Sequence, residues 1–103
     1  MKIHAKETAR GELLLQIEGK LTIDSVQIFE KTVNPYFGKS ISSIALDCRG
    51  LDFIDSSGIG TLMTAANRAK TAGMDFHLTG VSSGILTIFR TANIESFFTI
   101  KGR

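Results

Sequence analysis

Hydrophobic and polar positions alternate with two periods along this chain, and the changes between them divide it into elements. Residues 2–7, KIHAKE, alternate weakly and predict a short strand. Residues 12–18, ELLLQIE, are more apolar and predict a second strand, with Gly11 in TARGE as the permissive turn residue. The two strands are expected to pair as an antiparallel hairpin, and Gly19 to close the second. Ile23, Val26, Ile28, Phe29 and Val33 then fall at helical spacing. Asp24 or Ser25 is the expected N-cap. Asn34-Pro35 should end or loosen this helix, because a residue before proline avoids the helical region. Residues 42–48, SSIALDC, read as a buried strand with Ile44, Leu46 and Cys48 on one face and Ala45 and Asp47 on the other. RGLDFID reads as a loop. A helix is expected from Ser56 to Ala72, with Ile59, Leu62, Met63, Ala66 and Ala69 as its apolar stripe and Gly73 just past its end. Residues 74–79 predict a strand, and residues 82–91 a helix capped by Ser82 or Ser83. Asn93 suits a left-handed stop, and residues 97–100, FFTI, predict the last strand.

The expected order is therefore β-β-α-β-α-β-α-β, an α/β fold. Strand-helix-strand units give parallel pairs with right-handed crossovers, and the opening hairpin makes the sheet mixed. Three helices on one face would leave the other partly open, which suits the polar strand residues Asp47, His77 and Thr79. The phenylalanines are expected in the core, with Phe98 on the more exposed side.

Composition narrows the function classes. The chain has 103 residues, enough for one core, and one domain is expected over residues 1–103. The net charge is +2, and the cations Lys20, Lys31, Lys39, Arg49, Arg68, Lys70 and Arg90 are scattered. A nucleic-acid partner is therefore not expected, because such proteins concentrate positive charge in a stripe. Cys48 is the single cysteine, which rules out an internal disulfide and fits a reducing cytoplasm. No apolar run reaches the length of a membrane span, and the charged N-terminus does not read as a signal peptide.

The stretch LDFIDSSGIG carries the candidate chemistry. Asp55 or Ser56 stands where a helix N-cap belongs, so capping alone explains much of it. A serine nucleophile elbow needs G-x-S-x-G, and the first glycine is missing. A phosphate-binding loop needs a lysine after its glycines, and none follows Gly58 and Gly60. Cys48, Asp52 and Asp55 do not form a metal-ligand set, so no metal and no other cofactor is expected. Phosphorylation of one serine remains. A phosphate in the first helical turn meets the positive end of the helix dipole, so the fold tolerates it, whereas a docked partner would have to desolvate it.

The segment IALDCRGLDFIDSSGIGTLM, with ELLLQIEGKLTIDS before it and LTGVSSGILTIFRTANIESFFTI after it, resembles STAS domains, the anti-sigma factor antagonists. The resemblance runs over essentially the whole chain and implies a mixed sheet with helices on one face. It implies a regulator and not an enzyme: a cytoplasmic protein that captures an anti-sigma factor which is also a serine kinase; the free domain is expected to be monomeric. It implies phosphorylation of Ser57, release of the partner, and a phosphatase that resets the serine. Asp55, Ser56 and Gly58 would shape the docking surface, with Gly58 admitting close approach. Thr22 stands where many relatives carry aspartate, and an acid follows only at Asp24. That loop lies near the phosphorylated serine in the family, so Thr22 and Asp24 join the expected docking residues. Asn93 replaces a frequent glycine. The alternative is a STAS scaffold or signalling module that binds other regulators, or a nucleotide, without a sigma factor.

Overall fold

In a computed structural model, which describes residues 1–101, five strands cross one sheet in chain order: β1 (Lys2–Glu7), β2 (Glu12–Leu21), β3 (Ser43–Ile54), β4 (Asp75–Thr79) and β5 (Thr99–Lys101). Residues 102–103, the end of the expected domain, lie outside the described residues. β1 pairs antiparallel with β2 and the other three pairs are parallel, so the sheet is mixed as expected. Helices α1 (Val26–Val33), α2 (Ser56–Thr71) and α3 (Ser83–Thr91) are the crossovers. Each crossover steps to the next strand in the same direction, and right-handed connections that all step one way lie on one face.

That face holds the core. Leu13, Ile44 and Phe76 stand in one row across β2, β3 and β4, and Leu15, Leu46 and Leu78 in another. They are buried with Phe29 and Val33 of α1, Leu62 and Ala69 of α2, and Ile85 and Phe89 of α3. The opposite face is uncovered and polar. Asp47 lies there in a two-point contact with Arg49, Oδ1 accepting from Nε at 3.1 Å and Oδ2 from Nη2 at 2.7 Å. His77 Nδ1 lies 2.9 Å from Asp75 Oδ2 on the same face.

Expectation and structure part at β3. Residues 49–54 are strand and not loop. β2 advances from Gln16 to Leu21 while its partner runs from Asp47 to Ile54, two residues further. The surplus sits in two bulges: Ile17 faces both Cys48 and Arg49, and Asp52 is extra between the Gly19–Leu51 and Lys20–Phe53 pairs. A bulge breaks the alternation that marks a strand, so these residues look irregular as a string. β2 likewise continues past Gly19, whose positive φ of 101° keeps the strand paired as far as Leu21.

Smaller corrections concern ends and faces. Ser25, and not Asp24, is the N-cap residue of α1, yet its hydroxyl makes no cap bond. It accepts from the Thr22 N–H at 2.9 Å and donates to the Lys20 carbonyl at 2.8 Å, folding the β2–α1 loop back on itself. α1 does end at Val33, but Asn34 keeps helical angles and the chain tightens into a 3₁₀ turn over Asn34–Gly38. Pro35 fits that first turn because its missing N–H would have had no partner there. Gly73 and Asn93 adopt the left-handed stops expected of them. Ile23 precedes α1 and is 65% exposed, not core, and Ile28 is 46% exposed. Phe53 and Phe97 are exposed, whereas Phe98 is buried, reversing the expectation for it.

Burial pushes the Cys48 thiol up to about 12, and the neighbouring Asp47 charge adds to the effect. Alkylation of Cys48 in mildly alkaline buffer should run roughly a hundredfold or more slower in the native protein than in urea, because only the thiolate reacts. A matching rate in both would place the thiol at the surface. The hydrogen bonds from Arg49 hold the Asp47 carboxyl below its ordinary range despite its burial. Its contribution is therefore complete above the unfolded value of about 4 and is lost as pH falls through the lower folded value. Acid unfolding followed by circular dichroism should show wild type losing its advantage over Asp47→Asn in that window.

Gly58 is buried where α2 meets β2. A Cβ there would collide with the Leu21 carbonyl oxygen and lie 2.7 Å from Ile54 Cγ1. Helix propensity alone favours Gly58→Ala by about 1 kcal/mol. The collision should reverse that sign and destabilise the domain by about 1–3 kcal/mol in urea titrations.

Candidate functional site

The site is built at the end of β3, where the chain leaves the sheet. Asp55 is extended and serves as the N-cap of α2. Its Oδ1 accepts from the Gly58 N–H at 2.9 Å, and its Oδ2 accepts from the Ile23 N–H at 3.1 Å. One carboxylate thus joins the helix to the β2–α1 loop. The Gly58 N–H does most to hold the Asp55 carboxyl below its ordinary range; partial desolvation opposes it, and the N–H groups of Ile23 and Ser57 assist. Asp55 is anionic at neutral pH.

The capping role of Asp55 determines what the serines can do. The string Ser56-Ser57-Gly58-Ile59 recurs as Ser82-Ser83-Gly84-Ile85 at the start of α3. There Ser82 is itself the cap and accepts from the Ile85 N–H at 3.2 Å. In α2 the aspartate takes that position, and the serines move into the first turn. Ser56 is exposed and Ser57 half-buried, and neither hydroxyl is needed as the cap. The Ser57 carbonyl accepts from Thr61 Oγ1 at 2.9 Å, an ordinary bond within the helix.

The expected docking residues fall into two neighbouring groups. Asp55, Ser56, Ser57 and Gly58 open α2, and Thr22 and Asp24 flank Ile23 in the loop that Asp55 holds. Thr22 is half-buried and acts through its backbone: its carbonyl accepts from the N–H groups of Ser25 at 2.8 Å and Val26 at 3.0 Å. Asp24 is exposed. The close approach that Gly58 admits is internal, from Leu21 and Ile54, so it shapes the surface from beneath. Arg68 and Lys70 belong to the far end of α2, where Arg68 donates to Asn34 Oδ1 at 2.8 Å and lies 4.5 Å over the Phe37 ring. They do not border Ser57. Ile23 is the residue missed from the string, because its spacing fitted the stripe of α1; the Gly19-Lys20-Leu21 exit from β2 was the signal that a loop intervenes.

His77 sits in the middle of β4 on the uncovered face against Asp75, and His4 lies on β1 beside Glu18. Among the described residues no group of three or more His, Cys, Asp or Glu is placed to hold a metal ion. No helix among them is long and apolar enough to cross a membrane.

Comparison with known proteins fits this arrangement. The fold resembles SpoIIAA, an anti-sigma factor antagonist of Bacillus solved unphosphorylated (TM-score 0.81, 15% identity, covering 97% of this chain and 88% of that one) and phosphorylated (TM-score 0.75, 15% identity, 97% and 91%). It also resembles an anti-sigma factor antagonist from Mycobacterium paratuberculosis (TM-score 0.84, 11% identity, 96% and 83%). A sulfate transporter family protein from Wolinella succinogenes shares the fold as well (TM-score 0.75, 16% identity, 88% and 74%). The STAS domain model matches residues 3–103, and the chain belongs to the STAS domain family.

Proposed function

We propose that this STAS domain is an anti-sigma factor antagonist controlled by phosphorylation of Ser57. The observation that carries the reading is the division of labour at α2: Asp55 caps the helix, and the Ser57 hydroxyl is left in the first turn as an acceptor. In its unphosphorylated form the protein binds an anti-sigma factor that is also a serine kinase, which frees a sigma factor. The kinase uses ATP: Ser57 Oγ forms a bond to the γ-phosphorus, the bond to the β–γ bridging oxygen breaks, ADP leaves and the serine proton passes to a base of the kinase. A phosphatase restores the serine with water, releasing inorganic phosphate.

The physical basis of release is charge. Phosphoserine carries about −1.5 to −2 charges at neutral pH. Inside the domain the helix N-terminus offsets part of it. Toward a docked partner, the anionic Asp55 two residues away adds to the negative charge that must be desolvated. About 1.4 kcal/mol of repulsion or desolvation weakens binding tenfold, so a few kcal/mol suffice to separate the partners. In this reading the protein acts by binding and catalyses nothing, works in the cytoplasm, and is monomeric when free. The likeness to both forms of SpoIIAA and to a second antagonist supports it.

Isothermal titration against the anti-sigma factor kinases encoded by the source organism tests the switch. Wild type and Ser57→Ala should bind one of them alike, and Ser57→Asp should bind it at least about tenfold more weakly. Equal binding by all three would overturn the switch and favour a constitutive STAS scaffold.

A further inference from the structure

We propose that Ile23 is the apolar anchor by which the kinase partner grips this protein, and that Asp55 is a positioning residue that pins the anchor beside Ser57. The proposal rests on the partner-switch reading and deepens it. Among the described residues Ile23 is the most exposed large hydrophobic residue, at 65%, and its own N–H is tied to the carboxylate that caps the helix bearing Ser57. Ser25 is buried and holds the same loop at Thr22 and Lys20. An isoleucine displayed on a loop braced at both ends loses little freedom when a partner covers it, so more of its burial appears as affinity.

The surrounding surface favours an apolar socket as its occupant. Among the described residues four large hydrophobics are exposed, and two of them lie in or just after the loop that Asp55 holds: Ile23 within it and Ile28 in the first turn of α1; a third, Phe53, points to the uncovered side of β3. The fourth, Phe97, lines a cleft with Lys70 and Met74 at the far end of α2. The uncovered sheet face, by contrast, carries the ion pairs of Asp47, Asp75 and Glu18, which water solvates well. A kinase docked over the first turn of α2 meets the loop that Asp55 ties to that turn, and Ile23 is the apolar group this loop displays. A well-buried anchor at the centre of an interface carries a disproportionate share of its energy. One partner pocket would then read an apolar group and a hydroxyl side by side.

The test uses full-length protein in a lysate of the source organism supplied with magnesium and ATP, with the initial rate of Ser57 phosphorylation read on phosphate-affinity gels. Ser57→Ala identifies the band. Ile23→Ala should slow the rate roughly tenfold or more. Ile23→Leu should stay near wild type, and Phe97→Ala, which removes an exposed ring elsewhere, should leave the rate unchanged. Unchanged thermal melting of Ile23→Ala would exclude unfolding as the cause. If Ile23→Ala is phosphorylated as fast as wild type, the anchor is overturned and the switch stands. If wild type is not phosphorylated at Ser57 at all, the switch fails and the anchor falls with it. The positioning role has its own readout in the isolated protein. Amide exchange at Ile23 should quicken at least about tenfold in Asp55→Ala, and unchanged protection would refute that role.

Discussion

Asp55 has one carboxylate and two obligations. Its oxygens accept from N–H groups at Ile23 and Gly58, which belong to segments far apart in sequence but adjacent at the end of the sheet. The Gly58 N–H would be costly to leave without a partner, and the same side chain also fixes the exposed loop at Ile23. The consequences spread outward. α2 can begin directly where β3 ends, the β2–α1 loop is held against that beginning, and the serines that follow are excused from capping. The freedom of the Ser57 hydroxyl from capping is thus a consequence of hydrogen bonding two residues earlier.

Close packing beneath the carboxylate makes the same junction possible. The first turn of α2 rests on the last carbonyl of β2, at a distance only a glycine permits. The Asp55 N–H also reaches the Leu21 carbonyl, at 3.3 Å. The end of β2, the end of β3 and the start of α2 therefore form one rigid corner. A charge added to the exposed side of that corner has little structure to relax into. Its influence is directed outward, at whatever is docked there.

Much of this was legible in the string of residues, and the reasons for the remainder are physical. Element order, the mixed sheet, the core face of Ile44, Leu46 and Cys48, and the stops at Gly73 and Asn93 follow from period and backbone preference. The far half of β3 was not legible, because bulges break its alternation while leaving it paired. Ile23 was misplaced because helical spacing extends naturally one turn before the true start of α1, and nothing local reveals that Ser25 folds the loop back. The role of Gly58 was half-legible: a close approach was evident, but not that its neighbour is Leu21. The position of Ser57 in the first turn of the helix follows from Asp55 as cap, yet only the comparison with Ser82 at α3 shows how much depends on that one residue.

The two bulges act on β3 as paired frameshifts act on a coding strand. Between them the inward and outward faces are exchanged, so Leu51 points into the core from a position whose parity belongs outside. After the second bulge the original phase returns, and Ile54 is inward again. Loss of one residue from this stretch would leave the phase uncorrected and turn Asp55 away from the loop it holds. Loss of two would restore the phase and shorten the strand. The length of this segment is therefore constrained by its evenness more than by its absolute value, a restriction that no single side chain in it records.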